Sequence, residues 1–408
     1  MDIFLSLFMY ISTSFMLCFA LTVKIKGVVF LKILFVCDQF EEANNGTTIS
    51  ARRFAQALAD RGNELRVLSC GKGDDVNYGV RELRLLPLAN KLVKSQGMEF
   101  AMPNRRALKE ALEWCDVVHF YMPFALSIQG MKMAEKMDVP RTAAFHVQPE
   151  NITFSIGMGN APLVNDSIYH LFRNTFFNHF SHIHCPSNFI ANELKKHGYT
   201  AQLHVISNGI SPSFCYRKAP KPRMYEGKYV ITMIGRLSGE KRQDLLIDAV
   251  RLSKHAKDIQ LVFAGQGPQK DSLKKYSADL AYPPVMKFFS EDELHELLSY
   301  TDLYVHTSDV EIEAISCIEA FASGLVPVIS NSPRSATGQF ALDERSLFTA
   351  GDPQSLADKI DYWLEHPEEK AESERLYAQA GLEYHLDASA AKAEEMFLQA
   401  INENKACQ

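Results

Sequence analysis

The sequence has eight cysteines but no Cys-x-x-Cys pair. Cys18, Cys37, Cys70, Cys115, Cys185, Cys215, Cys317 and Cys407 are scattered along the chain. That spacing disfavours a zinc site or a redox dithiol and leaves reduced core thiols in a cytosolic compartment as the expectation. A dinucleotide fingerprint is missing too. The run Leu31–Cys37 is followed by no Gly-x-Gly-x-x-Gly, and Gly265-Gln266-Gly267 has Lys270 where the third glycine would stand. A hydride-transfer enzyme of the dinucleotide-binding type is therefore disfavoured. There is no repeat of solenoid length and no low-complexity tract. With 47% hydrophobic and 23% charged residues, the 408-residue chain is no disordered polymer, collagen or small disulfide scaffold. Its length suggests two or three domains, each able to bury a core.

One long apolar run is present. Ile3–Val23 carries almost no charge, is long enough to span a bilayer, and is followed by Lys24 and Lys26. Three readings stay open: an anchor that leaves the rest of the chain in the cytoplasm, a start site set too early, and a cleaved signal. Residues 1–30 are set apart on this basis.

From Leu31 the chain alternates strand-like and helix-like segments. Leu31–Cys37, Leu65–Ser69, Val117–Tyr121, Thr142–His146, Ile183–Pro186 and Leu203–Ile206 are short apolar runs. A second series follows, with Tyr229–Ile234, Gln260–Ala264, Val285–Phe288, Leu303–His306 and Val326–Ser330. Arg242–Lys254 and Ser290–Tyr300 lie between them as helices. This alternation is the pattern of doubly wound α/β sheets. Ser211–Lys228, rich in Pro and Lys/Arg, contains the linker. The expected domains are residues 31–215, a linker at 216–228, a second domain at 229–385 and a C-terminal helix at 386–408.

Charge divides the same way. Residues 31–228 hold 24 Lys/Arg and 18 Asp/Glu, whereas residues 229–408 hold 17 and 30. The basic half suits an anionic surface. Lys91, Lys94, Arg105, Arg106 and Lys109 are its candidate membrane contacts, although such a run is also what a solvated helix face looks like.

In open parallel sheets ligands bind outside the C-terminal strand ends, and the motifs lie there. Gly235-Arg236-Leu237-Ser238-Gly239-Glu240-Lys241 follows Tyr229–Ile234. Its glycine permits a close turn, and Arg236 and Lys241 can converge on one phosphate pair. Phe263-Ala264-Gly265-Gln266-Gly267-Pro268 follows the next strand and permits close backbone approach. The most specific string runs from Asp309 to Ser330, with Glu311 and Glu319 eight residues apart. Buried carboxylates at such places hold paired sugar hydroxyls well, because each accepts two donors.

With these motifs, residues 31–385 resemble glycosyltransferase family 4, retaining enzymes of the GT-B fold. The resemblance implies two Rossmann-like domains facing across a cleft. It implies that Arg236 and Lys241 bind the donor diphosphate, that Glu311 contacts the transferred sugar and Glu319 the ribose, and that Gly265 and Gly267 lie near the base. Asn208-Gly209-Ile210 is similar to the strand-end turn leading to the linker, and Cys185-Pro186-Ser187 to a serine-bearing segment near the phosphates. Asn45-Gly46 resembles the glycine loop, with Asn45 in place of its first glycine and Gly46 on the donor side. His146 stands where the family places a histidine near the reacting sugar, whereas a lone His at a strand end is more often structural. Ala314 departs from the usual glycine.

The stretch Ala314–Thr337 is similar to glycosyltransferases that glycosylate diacylglycerol, ceramide or related lipids. The implied activity is retaining transfer of a hexose from a nucleoside diphosphate sugar, UDP favoured, to a lipid hydroxyl at the cytoplasmic membrane face. The enzyme would be peripheral or held by one N-terminal anchor. No metal is required, because two cations can stabilise the leaving diphosphate, and no nucleic-acid partner is expected. The alternatives are a soluble family 4 enzyme extending a polysaccharide or lipopolysaccharide, and a non-catalytic sugar-nucleotide binder.

Overall fold

The computed structural model describes residues 30–41, 46–87, 90, 93–94 and 97–406. The apolar run Ile3–Val23, Asn45, Lys91, Cys18 and Cys407 lie outside the described residues.

The first sheet has seven strands: β1 (Lys32–Gln39), β2 (Glu64–Cys70), β3 (Tyr78–Val80), β4 (Val117–Phe120), β5 (Arg141–Ala144), β6 (His182–Cys185) and β7 (Gln202–Val205). They run in the order β3-β2-β1-β4-β5-β6-β7. The second sheet has six: β8 (Tyr229–Ile234), β9 (Ile259–Ala264), β10 (Val285–Lys287), β11 (Leu303–His306), β12 (Pro327–Ser330) and β13 (Leu347–Phe348). Their order is β10-β9-β8-β11-β12-β13. All of these neighbours pair in parallel.

The strands are apolar runs because helices cover both sheet faces. In β1, Leu34 and Val36 enter one core cluster while Ile33, Phe35 and Cys37 enter the other. That is the two-residue alternation of a strand, with neither side facing water. Each such large side chain contributes roughly 1.5–3 kcal/mol on burial. Helix Glu291–Tyr300 shows how a boundary is written locally: Ser290 Oγ accepts from Glu293 N (3.3 Å), and the Glu293 carboxylate accepts from Ser290 N (2.8 Å). Such a reciprocal box satisfies two N–H groups at the helix start.

The chain does not end on the second domain. Helix Leu386–Ala406 returns to the first sheet, where Ala390, Ala393, Met396 and Phe397 join the cluster of Ile33, Phe35, Phe54 and Leu58. Two edge strands, β3 and β13, are absent from the sequence reading. At three and two residues they are too short to carry a period. β1 also runs further than its apolar letters, through Asp38 to Gln39, with a register shift after Val36.

Candidate active site

Strand order reverses between β8 and β11, so a crevice opens outside their C-terminal ends. The Arg236–Lys241 loop leaves β8 there, and the loop carrying Glu311 leaves β11. The two loops are fastened together. Asp309 N donates to Glu240 O (2.8 Å), and Thr307 Oγ1 donates to the carbonyls of Lys241 (2.8 Å) and Arg242 (2.9 Å). On the far side, Ala336 N donates to Glu311 O (2.9 Å) and Ser332 Oγ to Asp309 O (2.6 Å).

Glu311 is the centre of this arrangement. Its carboxylate is ion-paired with Lys241 and accepts from His306 Nε2 at 2.9 Å. His306 Nδ1 lies 2.9 Å from Tyr304 Oη. Because Nε2 faces a carboxylate, it carries the proton, and Nδ1 accepts from the tyrosine hydroxyl. Burial by itself would raise the Glu311 carboxyl. Lys241 and His306 overcome it and hold the group well below the usual carboxylate range. Glu311 is thus a fixed anion beside a fixed cation, half of a site that can receive both a sugar hydroxyl and a phosphate.

Arg236 shares this crevice from the β8 loop, its carbonyl held by Gln243 Nε2 at 2.9 Å. The glycine pair acts beneath it. A Cβ at Gly265 would stand 1.9 Å from Gly235 O, and one at Gly267 would stand 2.3 Å from Leu237 O. Both glycines therefore let the ends of β8 and β9 pack, which sets the height of the Arg236 loop.

Glu319 lies in helix Ile315–Ala322 and faces the first domain. Arg53 Nη1 binds its Oε1 at 3.0 Å, and Arg53 Nη2 binds Glu291 at 3.0 Å. Burial still pushes the Glu319 carboxyl upward, against the pull of Arg53. The residue assigned to the ribose is engaged here in a contact across the cleft. Ser187 caps helix Asn188–Lys196, accepting from Ile190 N (3.2 Å), and its Oγ donates to Ile312 O (2.6 Å). Asn208 donates N–H (3.0 Å) and Nδ2–H (2.7 Å) to Glu313. Ser187 and Asn208 thus both tie the domains together.

On the opposite wall, Gly46 opens helix Gly46–Asp60, and a Cβ there would meet nothing within 4 Å. His146 follows β5 and is buried, stacked on Tyr121 (5.2 Å between centroids) and edge-on to His184 (5.3 Å). Burial, then the neighbouring His184, holds it well below the usual histidine range, so it is neutral near pH 7. Gln148, two residues on, donates to Arg334 O at 3.1 Å. The Arg334 loop in turn holds Ser335, the bridge partner of Glu311. His146 and Glu311 are thus linked through one short loop contact.

Of the basic residues proposed for a membrane surface, Lys94, Arg105, Arg106 and Lys109 are among the described residues. Lys94 pairs with Glu82 (3.0 Å), and Lys109 lies 3.5 Å from Glu113. Arg105 and Arg106 are exposed at the start of helix Arg105–Trp114. Among the described residues no helix is long and apolar enough to cross a membrane. Sequence reasoning missed four contributors: His306, Tyr304, Arg53 and Glu313. The one signal for His306 was its place as the last residue of a strand beside the motif loop.

Two parallel-sheet domains with a cationic loop and a buried carboxylate at the strand ends make up the GT-B fold. The chain belongs to glycosyltransferase family 4: residues 44–214 match the family model Glycosyltransferase Family 4 and residues 217–380 match Glycosyl transferases group 1. A curated relative is the alpha-monoglucosyldiacylglycerol synthase of Streptococcus pneumoniae (strain ATCC BAA-255 / R6), 24% identical over 241 residues. That match takes in 55% of this chain and 54% of the relative, so it spans about half the length of that protein. The solved catalytic domain of a cholesterol-alpha-glucosyltransferase from Helicobacter pylori is 47% identical over 38% of this chain and 98% of its own, with a TM-score of 0.37. The Anabaena protein HepE, solved with UDP and glucose, matches 90% of this chain and all (100%) of its own, at 17% identity and TM-score 0.70. The last likeness is one of fold.

Proposed function

We propose that this enzyme moves a hexose from a UDP-sugar to the hydroxyl of a neutral membrane lipid of the diacylglycerol or ceramide kind, with retention at the anomeric carbon. The observation that carries the reading is the Lys241–Glu311–His306 cluster at the β8/β11 crevice. The incoming diphosphate competes with Glu311 for Lys241. Glu311, still an anion, is then free to accept from the sugar hydroxyls. Arg236 and Lys241 stabilise the charge that grows on the leaving diphosphate, usually the largest single contribution to such a reaction. These two cations suffice without invoking a metal, and attack on the face of the leaving phosphate accounts for retention without a carboxylate nucleophile.

Lipid as the acceptor class has two supports. One is the curated relative, whose name gives glucosylated diacylglycerol as its product. The other is on the surface. Ile156, Met158, Leu163, Val164 and Leu171 are exposed in and beside helix Pro162–Thr175. Exposed apolar side chains of this kind suit contact with a membrane. Phe154, two residues before Ile156, lies under Arg334 (5.5 Å). With the basic first domain, these side chains favour peripheral attachment to the anionic cytoplasmic leaflet.

An assay matrix tests the reading. The full chain is incubated with radiolabelled UDP-glucose, UDP-galactose or GDP-mannose, each with diacylglycerol, ceramide or a polysaccharide primer. Label in one lipid with one donor is the expected result. Label in the primer alone would favour the soluble polysaccharide enzyme.

A further inference from the structure

Two donors meet on one oxygen of Glu311. Lys241 Nζ and His306 Nε2 both bind Oε1. The lysine arrives on the loop after β8, and the histidine is the last residue of β11. The two differ in freedom. The Lys241 side chain is 19% exposed and belongs to a turn, whereas His306 is wholly buried in the sheet. Tyr304, also wholly buried, puts its hydroxyl 2.9 Å from His306 Nδ1, and Ser316 Oγ lies 3.4 Å from that hydroxyl. The imidazole is therefore held at both nitrogens, with Nε2–H directed at Glu311.

This order matters once the donor enters. A diphosphate that draws Lys241 off leaves a buried carboxylate without its cation. Such a group takes up a proton unless a fixed donor holds its charge. His306 is the donor that stays, because its position comes from the strand and not from the loop. The other titratable groups facing the cluster do not replace it. Burial keeps Tyr304 and Cys317 protonated, and Glu319 is paired with Arg53. The Arg334 loop meets Glu311 through its backbone.

We propose that His306, aimed by Tyr304, is the positioning residue that keeps Glu311 an oriented anion while the donor diphosphate holds Lys241. The assignment rests on the donor reading given above and adds to it the group that makes Lys241 exchangeable. His306 acts through Glu311 and touches no substrate itself.

The test is a titration of UDP into the full chain across pH 5 to 8. Each variant is read as its UDP affinity divided by that of wild type, so titrations common to both cancel. His306→Leu removes a neutral N–H donor without changing charge. Its Glu311 must take up a proton as UDP binds. The affinity ratio should therefore fall as pH rises, by about tenfold or more at the alkaline end, as expected for loss of a hydrogen bond to a charged group. His306→Gln restores a neutral N–H and should bring the ratio back toward one. Tyr304→Phe removes a single hydroxyl and should show the same trend at smaller size; it decides alone if His306→Leu does not fold. A ratio lowered equally at every pH would make His306 a structural residue and overturn the assignment. So would wild-type affinity in the folded variants, or a His306→Gln enzyme no better than His306→Leu. Wild-type enzyme that binds no UDP overturns the donor reading and the assignment with it. Wild-type enzyme that binds UDP while the ratios stay flat overturns the assignment alone.

Discussion

Glu311 is an anion because of two neighbours, Lys241 and His306. Its lowered pKa sets the sign of its pH dependence. The folded protein binds that proton later than the unfolded chain does. The stabilisation is therefore complete above the ordinary Glu value of about 4.3 and is lost as pH falls below it. Between pH 5 and 8, turnover should carry no limb from Glu311. Ala314, three residues on, holds φ at +65°. A residue with a Cβ pays roughly 1–2 kcal/mol there, and glycine gives back about 0.5–1 kcal/mol in chain entropy. Ala314 is also part of the core, and the loss of its buried methyl, about 0.8 kcal/mol, offsets what relief of the strain would gain in Ala314→Gly. At this scale the sequence was legible where spacing carries chemistry: the motif residues Lys241 and Glu311 meet in one ion pair. It was silent on His306 and Tyr304. A histidine and a tyrosine inside a buried strand look like core until the loop beside them is placed.

At the scale of elements, the site is made by strand ends and the turns that leave them. The long apolar runs gave their strands away, because a parallel sheet buried on both faces needs them. The two-residue β13 and three-residue β3 gave no such signal, being formed by register with a neighbour. The glycine turn after β9 is legible as a close approach, but to what is a matter of geometry: its partner is the backbone of Gly235. Gly265→Ala must push that loop away. Overpacking of this sort costs about 1–3 kcal/mol, and here it displaces Arg236 as well. The expected outcome is a lower melting temperature together with weakened UDP binding in a titration. Wild-type UDP affinity in a folded variant would show that the loop height does not matter.

At the scale of the molecule, the two domains are joined by side chains that the motifs alone would assign to substrate. Ser187 reaches Ile312, Asn208 reaches Glu313, and Arg53 reaches Glu319. Helix Leu386–Ala406 adds an apolar clasp. Family position does not reveal such contacts, since they depend on how the cleft closes. Glu313 illustrates their chemistry. Burial raises its carboxyl to about 7, opposed by the Asn208 and Ser207 hydrogen bonds. The folded state therefore binds its proton more tightly than the unfolded chain. Its contribution is present at low pH and is lost as pH rises through about 7. Glu313→Gln should gain stability relative to wild type by about 1 kcal/mol or more between pH 5 and 8. Melting curves that stay parallel across that range would refute the assignment.

In the proposed function, the cations and Glu311 at the β8/β11 crevice drive sugar transfer to lipid. The most direct measurement is the rate at which label from UDP-[14C]hexose enters the organic phase, for wild type and Lys241→Ala, at saturating lipid. The expected result is labelled lipid from wild type and a rate on the order of a hundredfold lower from the variant. Full activity in Lys241→Ala, or wild-type label that never leaves the aqueous phase, would contradict it.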